Sequence, residues 1–346
     1  MTDSGTTSTS GAHDEASVSE HRAGLRIGVI LGVISSVCYA VANLALRQVA
    51  IPDDFGWAVW VTALKAVPAT IVAWVLIGVR IQKKLPALPP KPLVGKLILA
   101  AILMQYGGNL CFQMSLSLGG LAISVPLCFA TLILTGAWLG RVFLGDPISR
   151  KTFYSIAVLG VSILFLTAGA DAAATSMHKD ATKWTIVAAV VAASFSGFAY
   201  GACGVMIRQL TQNLSLSASL VIFSTVGVVA LTGHVLVISD HDEQLRILAM
   251  TREYWLPLLA SGVFNAAAFF AVAGALRRVP VTFVNVLNTS QNAMCAIAGV
   301  VIFSEPLTTP LVIGCGLTIV GLLMVDSGKK PDQDQAMVSA ETSGKD

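Results

Sequence analysis

One charged residue, Lys65, stands inside a long apolar run, about eight residues from its start and so roughly 12 Å along a helix. An ammonium group there has two readings. Its stem extends toward the headgroups, or it faces a cavity, where without a buried carboxylate partner it favours an anionic or carboxylate-bearing solute. Uncharged polar side chains draw a wider map. Gln105, Asn109 and Gln113 recur every four residues, and Asn285, Asn288 and Asn292 recur at three and four with Gln291 adjoining, so each set shares a helical face. Amides are costly against lipid and are predicted to point inward, where they either bind a solute or join helix to helix. Tyr39 and Tyr200 each follow a serine (Ser35, Ser196) by four residues, and Asn43 continues the first of these faces. Such phenols and hydroxyls contact substrate or pack with local hydrogen bonds. The candidate substrate-binding set is therefore Tyr39, Asn43, Lys65, Gln105, Asn109, Gln113, Tyr200, Asn285, Asn288 and Asn292, with Phe129, Phe264, Phe269 and Phe270 as apolar walls.

Bond-making chemistry has no comparable set. The five histidines form no HExxH motif, the six cysteines lie inside apolar runs without a CxxC pair, and no nucleophile elbow or phosphate-binding glycine loop occurs. No catalytic residue, metal site or cofactor is expected. A net charge of +3 is too small to suggest nucleic acid as a partner. No Asp or Glu falls in the middle of an apolar run, so the intramembrane carboxylate on which proton-driven efflux of cationic drugs commonly relies is missing.

These side chains need membrane-spanning helices to carry them. Of 346 residues, 55% are hydrophobic and 12% charged, and the mean hydropathy is +0.76, outside the composition of soluble domains. With about 20 residues needed per crossing, spans are predicted near 27–46, 57–79, 96–115, 120–142, 152–169, 184–206, 216–237, 254–275, 279–303 and 309–325. Residues 1–24 and 327–346 are polar and read as disordered tails. Topology follows from charge. With the N-terminus inside, Arg47, Lys179, Lys183, Arg246 and Arg252 fall outside, Lys65 lies within a span and Lys345 in the distal tail. The rest of the 22 Lys and Arg fall inside, which places both termini in the cytoplasm. Trp57, Trp60, Trp184 and Trp255 begin spans at the outer face, and Trp74 and Trp138 approach inner ends, as interfacial anchoring predicts.

Two loops mark a duplication. Asp146-Pro147 and Glu305-Pro306 lie 159 positions apart, and at that offset the third to fifth spans overlay the eighth to tenth, putting Gly140 on Gly299. An offset of 161 overlays the first span on the sixth, matching Ser35 with Ser196, Tyr39 with Tyr200 and Arg47 with Arg208. Five helices per copy is an odd number, so the second copy enters the membrane from the opposite side. The expected fold is an all-α integral membrane protein of ten transmembrane helices in two inverted-topology five-helix repeats, residues 25–170 and 182–326. The polar lining is unequal between the copies: at offset 159, Gln105, Asn109 and Gln113 correspond to Phe264, Ala268 and Val272. A carboxylate before a helix accepts backbone N–H bonds, so Asp146 and Glu305 are expected to cap the fifth and tenth helices, with a gating ion pair as the alternative. The small-residue ridges Gly32, Ser36, Ala40 and Ala193, Gly197, Gly201 are expected to bring helices close.

Gly145-Asp146-Pro147-Ile148-Ser149 and Ser304-Glu305-Pro306-Leu307-Thr308, followed by Gly160 and by Gly314, Gly316 and Gly321, resemble the unit ends of the EamA branch of the drug/metabolite transporter superfamily. The likeness spans about residues 25–326. The family pattern is a Gly-Glu step, from which the first copy departs with Asp and the second with Ser304. Lys65 is similar in position to a basic residue often found in the family's second helix. The resemblance implies ten helices, no enzymatic activity and export of a small metabolite, amino-acid-like or an organic anion, by alternating access. It also implies a multi-pass protein of the bacterial inner membrane. A multidrug exporter and a non-transporting membrane receptor or enzyme are the competing readings. The partners expected are a small-molecule substrate, the lipid bilayer and optionally a second copy of the chain.

Overall fold

The structure, a computed structural model, describes residues 8–144, 150–177, 182–210, 216–276 and 281–324. Its regular elements are all helices, with no strand among the described residues. α1 runs Ser8–Gln48, so helix reaches back into the segment read as a tail. α2, Phe55–Gln82, starts where the Asp54 side chain accepts a hydrogen bond from the Trp57 N–H at 2.9 Å. The third span is one continuous rod in three parts: α3, Lys91–Ile102, a π-helical stretch, Leu103–Leu110, and α4, Cys111–Gly119. It ends at Gly120, whose φ of 73° lies where a side chain is disfavoured. α5 is Leu121–Leu144, α6 Arg150–Met177, α7 Lys183–Leu210 and α8 Leu216–Ile238. The short α9, His241–Leu245, and a 3-10 turn, Arg246–Ala249, lead into α10, Arg252–Leu276; α11, Val281–Phe303, and α12, Thr309–Met324, follow.

Among the described residues, seven helices are long and apolar enough to cross a membrane: Arg26–Gln48, Phe55–Gln82, Lys91–Gly119, Leu121–Phe143, Lys183–Met206, Ser217–Ile238 and Arg252–Val272. Where the sequence predicts the fifth, ninth and tenth spans, the apolar stretches are shorter, Phe153–Leu166, Ser290–Phe303 and Thr309–Gly321. Large apolar side chains such as Ile71, Val75, Leu164, Val191 and Val229 are exposed, as a lipid-facing surface requires.

The largest apolar core seals one end of the bundle. Leu46 and Val49 of α1, Trp57 and Trp60 of α2, Leu116 of α4, Leu121 and Val125 of α5, and Leu231 and Val235 of α8 meet there. Trp57 and Trp60 are thus buried rather than anchored at the lipid interface. Their indole N–H groups donate to the Val49 carbonyl at 2.6 Å and the Glu243 carbonyl at 3.0 Å, which keeps them inside. Trp74, Trp138, Trp184 and Trp255 are exposed, as expected. The ridges behave as close-contact faces. A Cβ on Gly197 would collide with the Cys128 carbonyl and the Thr131 hydroxyl of α5, and one on Gly32 would lie 2.6 Å from Leu287 of α11. α6 and α12 pack on each other through Ser162, which bonds the Gly314 carbonyl at 2.7 Å, and Ser155, which bonds the Gly321 carbonyl at 2.5 Å.

Candidate functional site

A cavity of about 310 Å³ lies within the bundle, lined by residues of α1, α2, the π-helical stretch, α4, α5, α7, α8, α10 and α11, but not of α6 or α12. Its position follows from two local features. Gly107 and Gly108 let α7 lie flush on the third span, since a Cβ on Gly108 would come within 2.6 Å of the Tyr200 ring. Gly262 does the same for α10 against α2: a Cβ there would stand 3.0 Å from the Lys65 carbonyl and 2.8 Å from the ring of Pro68, which lies inside α2. The cavity reaches Leu220 and Ser224 near the start of α8 and Phe269 and Val272 near the end of α10, at the end of the bundle away from the sealed core.

Lys65 decides the electrostatics. It is 4% exposed on the protein, lines the cavity and has no hydrogen-bond or ion-pair partner among the described residues, so it faces inward and does not extend to the lipid surface. Among the described residues no carboxylate lines the cavity with it. An uncompensated buried ammonium is costly and gains most from an anion placed beside it.

The π-helical stretch supplies a relay of amides. The Tyr200 hydroxyl donates to Asn109 Oδ1 at 2.8 Å, Asn109 Nδ2 donates to Gln105 Oε1 at 2.9 Å, and Gln105 Nε2 donates to the Phe223 carbonyl at 2.8 Å. π-helical turns often mark functional positions because the widened turn re-aims side chains. Across the cavity Asn288 accepts from Ser35 Oγ at 3.1 Å, and Asn43 Nδ2 lies 3.9 Å from Cys295 Sγ. The Tyr39 hydroxyl has no partner among the described residues. Tyr39, Asn43, Lys65, Gln105, Asn109, Tyr200 and Asn288 are thereby gathered on one cavity, with Phe129 and Phe269 as apolar walls.

Other expected residues lie elsewhere. Gln113 and Asn292 are buried but off the cavity lining, and the side chain of Asn285 and the whole of Asp146 lie outside the described residues. Phe264 is exposed, and Phe270 packs against the cluster of Ala73, Ile77, Leu220 and Val221. Glu305 requires a correction. It does cap a helix, but the helix is α5 and not the following α12: Oε1 accepts from the Leu121 N–H and Oε2 from the Ala122 N–H, each at 3.0 Å. It also pairs with Arg47 Nε at 3.0 Å. Ser304 has φ 55°, a turn that accompanies the carboxylate's placement at α5. Sequence reasoning missed Asn265, Ser224, Phe223 and Cys128 on the cavity wall. Asn265 is a single amide in an apolar run and gave a faint signal; the others look like ordinary helix packing.

Residues 186–326 match the model of the EamA-like transporter family. No curated protein matches the chain. A solved crystal structure matches it with a TM-score of 0.57 at 15% identity, over 86% of this chain and 95% of that one, a likeness of fold alone.

Proposed function

We propose that this chain, an EamA-like transporter over residues 186–326 and so of the drug/metabolite transporter superfamily, is a secondary transporter for a small polar or amphipathic metabolite carrying a carboxylate or other anionic group. The observation that carries this is Lys65, a cation without a partner among the described residues, on a cavity otherwise lined by amides, hydroxyls, aromatic rings and aliphatic side chains. Amides fix orientation through hydrogen bonds, and Phe112, Phe129, Phe223 and Phe269 receive an apolar portion. A cationic drug would meet a like charge and no carboxylate, which disfavours the multidrug reading. The absence of a carboxylate from the lining also favours facilitated diffusion, or coupling through another group, over exchange of a proton on a cavity acid.

Ten helices in two inverted repeats are the architecture behind this reading. Pairings support it: α1 packs on α10 as α7 packs on the third span, α5 packs on α7 as α11 packs on α1, and α6 pairs with α12 and α2 with α8, each helix with its counterpart in the other repeat. In an inverted repeat each half rocks against the other around a midplane site. The bias of Lys and Arg supports cytoplasmic termini, which puts the sealed end of the bundle outside. Residence in a bacterial inner membrane and export as the direction come from the family resemblance alone, and a homo-oligomer is compatible with the exposed apolar surface. Reconstitution into liposomes with a panel of amino acids, organic anions, nucleosides and amines tests this. Saturable flux of carboxylate-bearing solutes, lowered at least tenfold in Lys65→Met at matched incorporation, is the expected result. Flux by Lys65→Met equal to wild type removes the anion anchor; no saturable flux for any solute under any gradient removes the transporter.

A further inference from the structure

Two amide side chains in the sealed half of the bundle hold buried atoms without a hydrogen-bond partner. Asn292 is 1% exposed with neither its carboxamide oxygen nor its nitrogen hydrogen-bonded, and the Oε1 of Gln113, also 1% exposed, is likewise unpaired. Buried amides are almost always paired, so two such groups in the same half demand a physical reason. Their register supplies it. Gln113 lies one turn beyond Asn109, and Asn292 one turn beyond Asn288, and residues four apart share a helical face. Asn109 and Asn288 line the cavity. The polar face therefore continues past the end of the cavity on both α4 and α11, into the region where the helices close.

Beside the apolar core that seals this end lies a junction of charge. Glu305 joins three elements: it follows α11, holds the first two N–H groups of α5 and pairs with Arg47 at the end of α1. Arg47 in turn lies over the Phe303 ring, 4.9 Å from its centroid. A Cβ on Gly120 would collide with the carboxylate, and one on Gly299 would come within 2.5 Å of it, so the carboxylate fills a slot that two glycines leave.

We propose that Gln113 and Asn292 form a second, occluded subsite for hydrogen-bonding groups of the solute, continuous with the Lys65 cavity, and that the Arg47–Glu305 bridge is the latch that shuts it. When the latch opens, the orphaned amide atoms meet water or solute and gain partners. The identity of what passes rests on the transporter reading; the occlusion and the latch do not.

Cys295 is a native reporter. It is 0% exposed, three residues beyond Asn292, and beside Asn43. All six cysteines are free, so a chain keeping Cys295 alone, with the others replaced by alanine, can be treated with a membrane-impermeant thiosulfonate in intact cells and in inverted vesicles. Slow reaction from both faces is expected in the parent. At least tenfold faster reaction, from one face only, is expected in Arg47→Gln and in Glu305→Gln. Arg47→Gln leaves the carboxylate on α5 intact, so a parent-like gel-filtration profile qualifies it even if Glu305→Gln does not fold. Unchanged rates in Arg47→Gln overturn the latch, and so does acceleration from both faces together, which reports a loosened bundle. Asn292→Leu in the parent is expected to lower solute flux at least fivefold, and unchanged flux overturns the subsite. If the latch variants expose Cys295 while no solute shows saturable flux, the transporter reading fails and the latch stands.

Discussion

Glu305 and Arg246 show how differently two ion-pairing residues weigh on the same end of the molecule. Glu305 is 2% exposed, and its oxygens serve two backbone N–H groups and a guanidinium. Removing it strands all three, so Glu305→Ala is expected to cost about 3–5 kcal/mol, seen as a large fall in unfolding temperature in detergent. Arg246 bonds Asp54 at 2.6 Å and Glu243 at 3.1 Å, but all three side chains are partly exposed and water replaces what a mutation removes. Arg246→Ala is expected to cost about 1 kcal/mol or less, and a shift as large as that of Glu305→Ala would contradict the distinction. Asn292 has the opposite sign: an apolar residue of similar size removes two unsatisfied atoms, so Asn292→Leu is expected to raise stability by about 1 kcal/mol while it lowers transport. Lys65 and the amide stripes were legible in the sequence because polar side chains stand out against an apolar background. The work of Glu305 was not, because Arg47 lies 258 residues away along the chain and the α5 N–H groups 183 and 184. A lone carboxylate before a helix reads most simply as that helix's own cap.

At the scale of elements, small residues set which helices carry the site. α7 rests on α5 through Gly197 and Gly201, where an added methyl group would meet the Cys128 carbonyl and, 2.7 Å away, the Leu132 carbonyl. Backbone in a helix cannot move aside as a side chain can. Gly197→Ala is therefore expected to cost about 1–3 kcal/mol and to lower the yield of monodisperse protein, whereas Gly204→Ala, with nothing within 4 Å, serves as the neutral control on the same helix. Wild-type stability in Gly197→Ala would mean that α7 does not sit this close. The ridge was readable from its spacing of four. The π-helical turn that carries Gln105 and Asn109 was not, because an extra residue in one turn leaves the apolar pattern almost unchanged, and only the Gly107-Gly108 pair hints at it. The segment from His241 to Ala249 was equally hidden, since its few polar residues read as a plain loop until Glu243 and Arg246 are seen gripping the start of α2.

For the molecule as a whole, the consequential property is that residues matched by the sequence offsets stand in unlike surroundings on one cavity. Identical residues recur at fixed offsets in the sequence, but the matching of Tyr39 with Tyr200 conceals a difference in their surroundings. Tyr200 donates to Asn109, and at the repeat offset Asn109 corresponds to Ala268, which offers no amide. The Tyr39 hydroxyl is correspondingly left on the cavity wall without a partner among the described residues, available to a solute. The two phenols should then respond oppositely to loss of the hydroxyl. On the proposed reading Tyr39→Phe removes a solute contact and no hydrogen bond to a described residue, so KM for transport is expected to rise several-fold with the unfolding temperature unchanged. Tyr200→Phe leaves Asn109 Oδ1 without its donor and slackens the relay to Gln105, so it is expected to lower stability by about 1 kcal/mol as well as weaken transport. Measuring KM and unfolding temperature together for both variants separates these cases. Equal stability losses in the two would mean that Tyr39 also has a protein partner, and that the cavity is more symmetric than its side chains indicate.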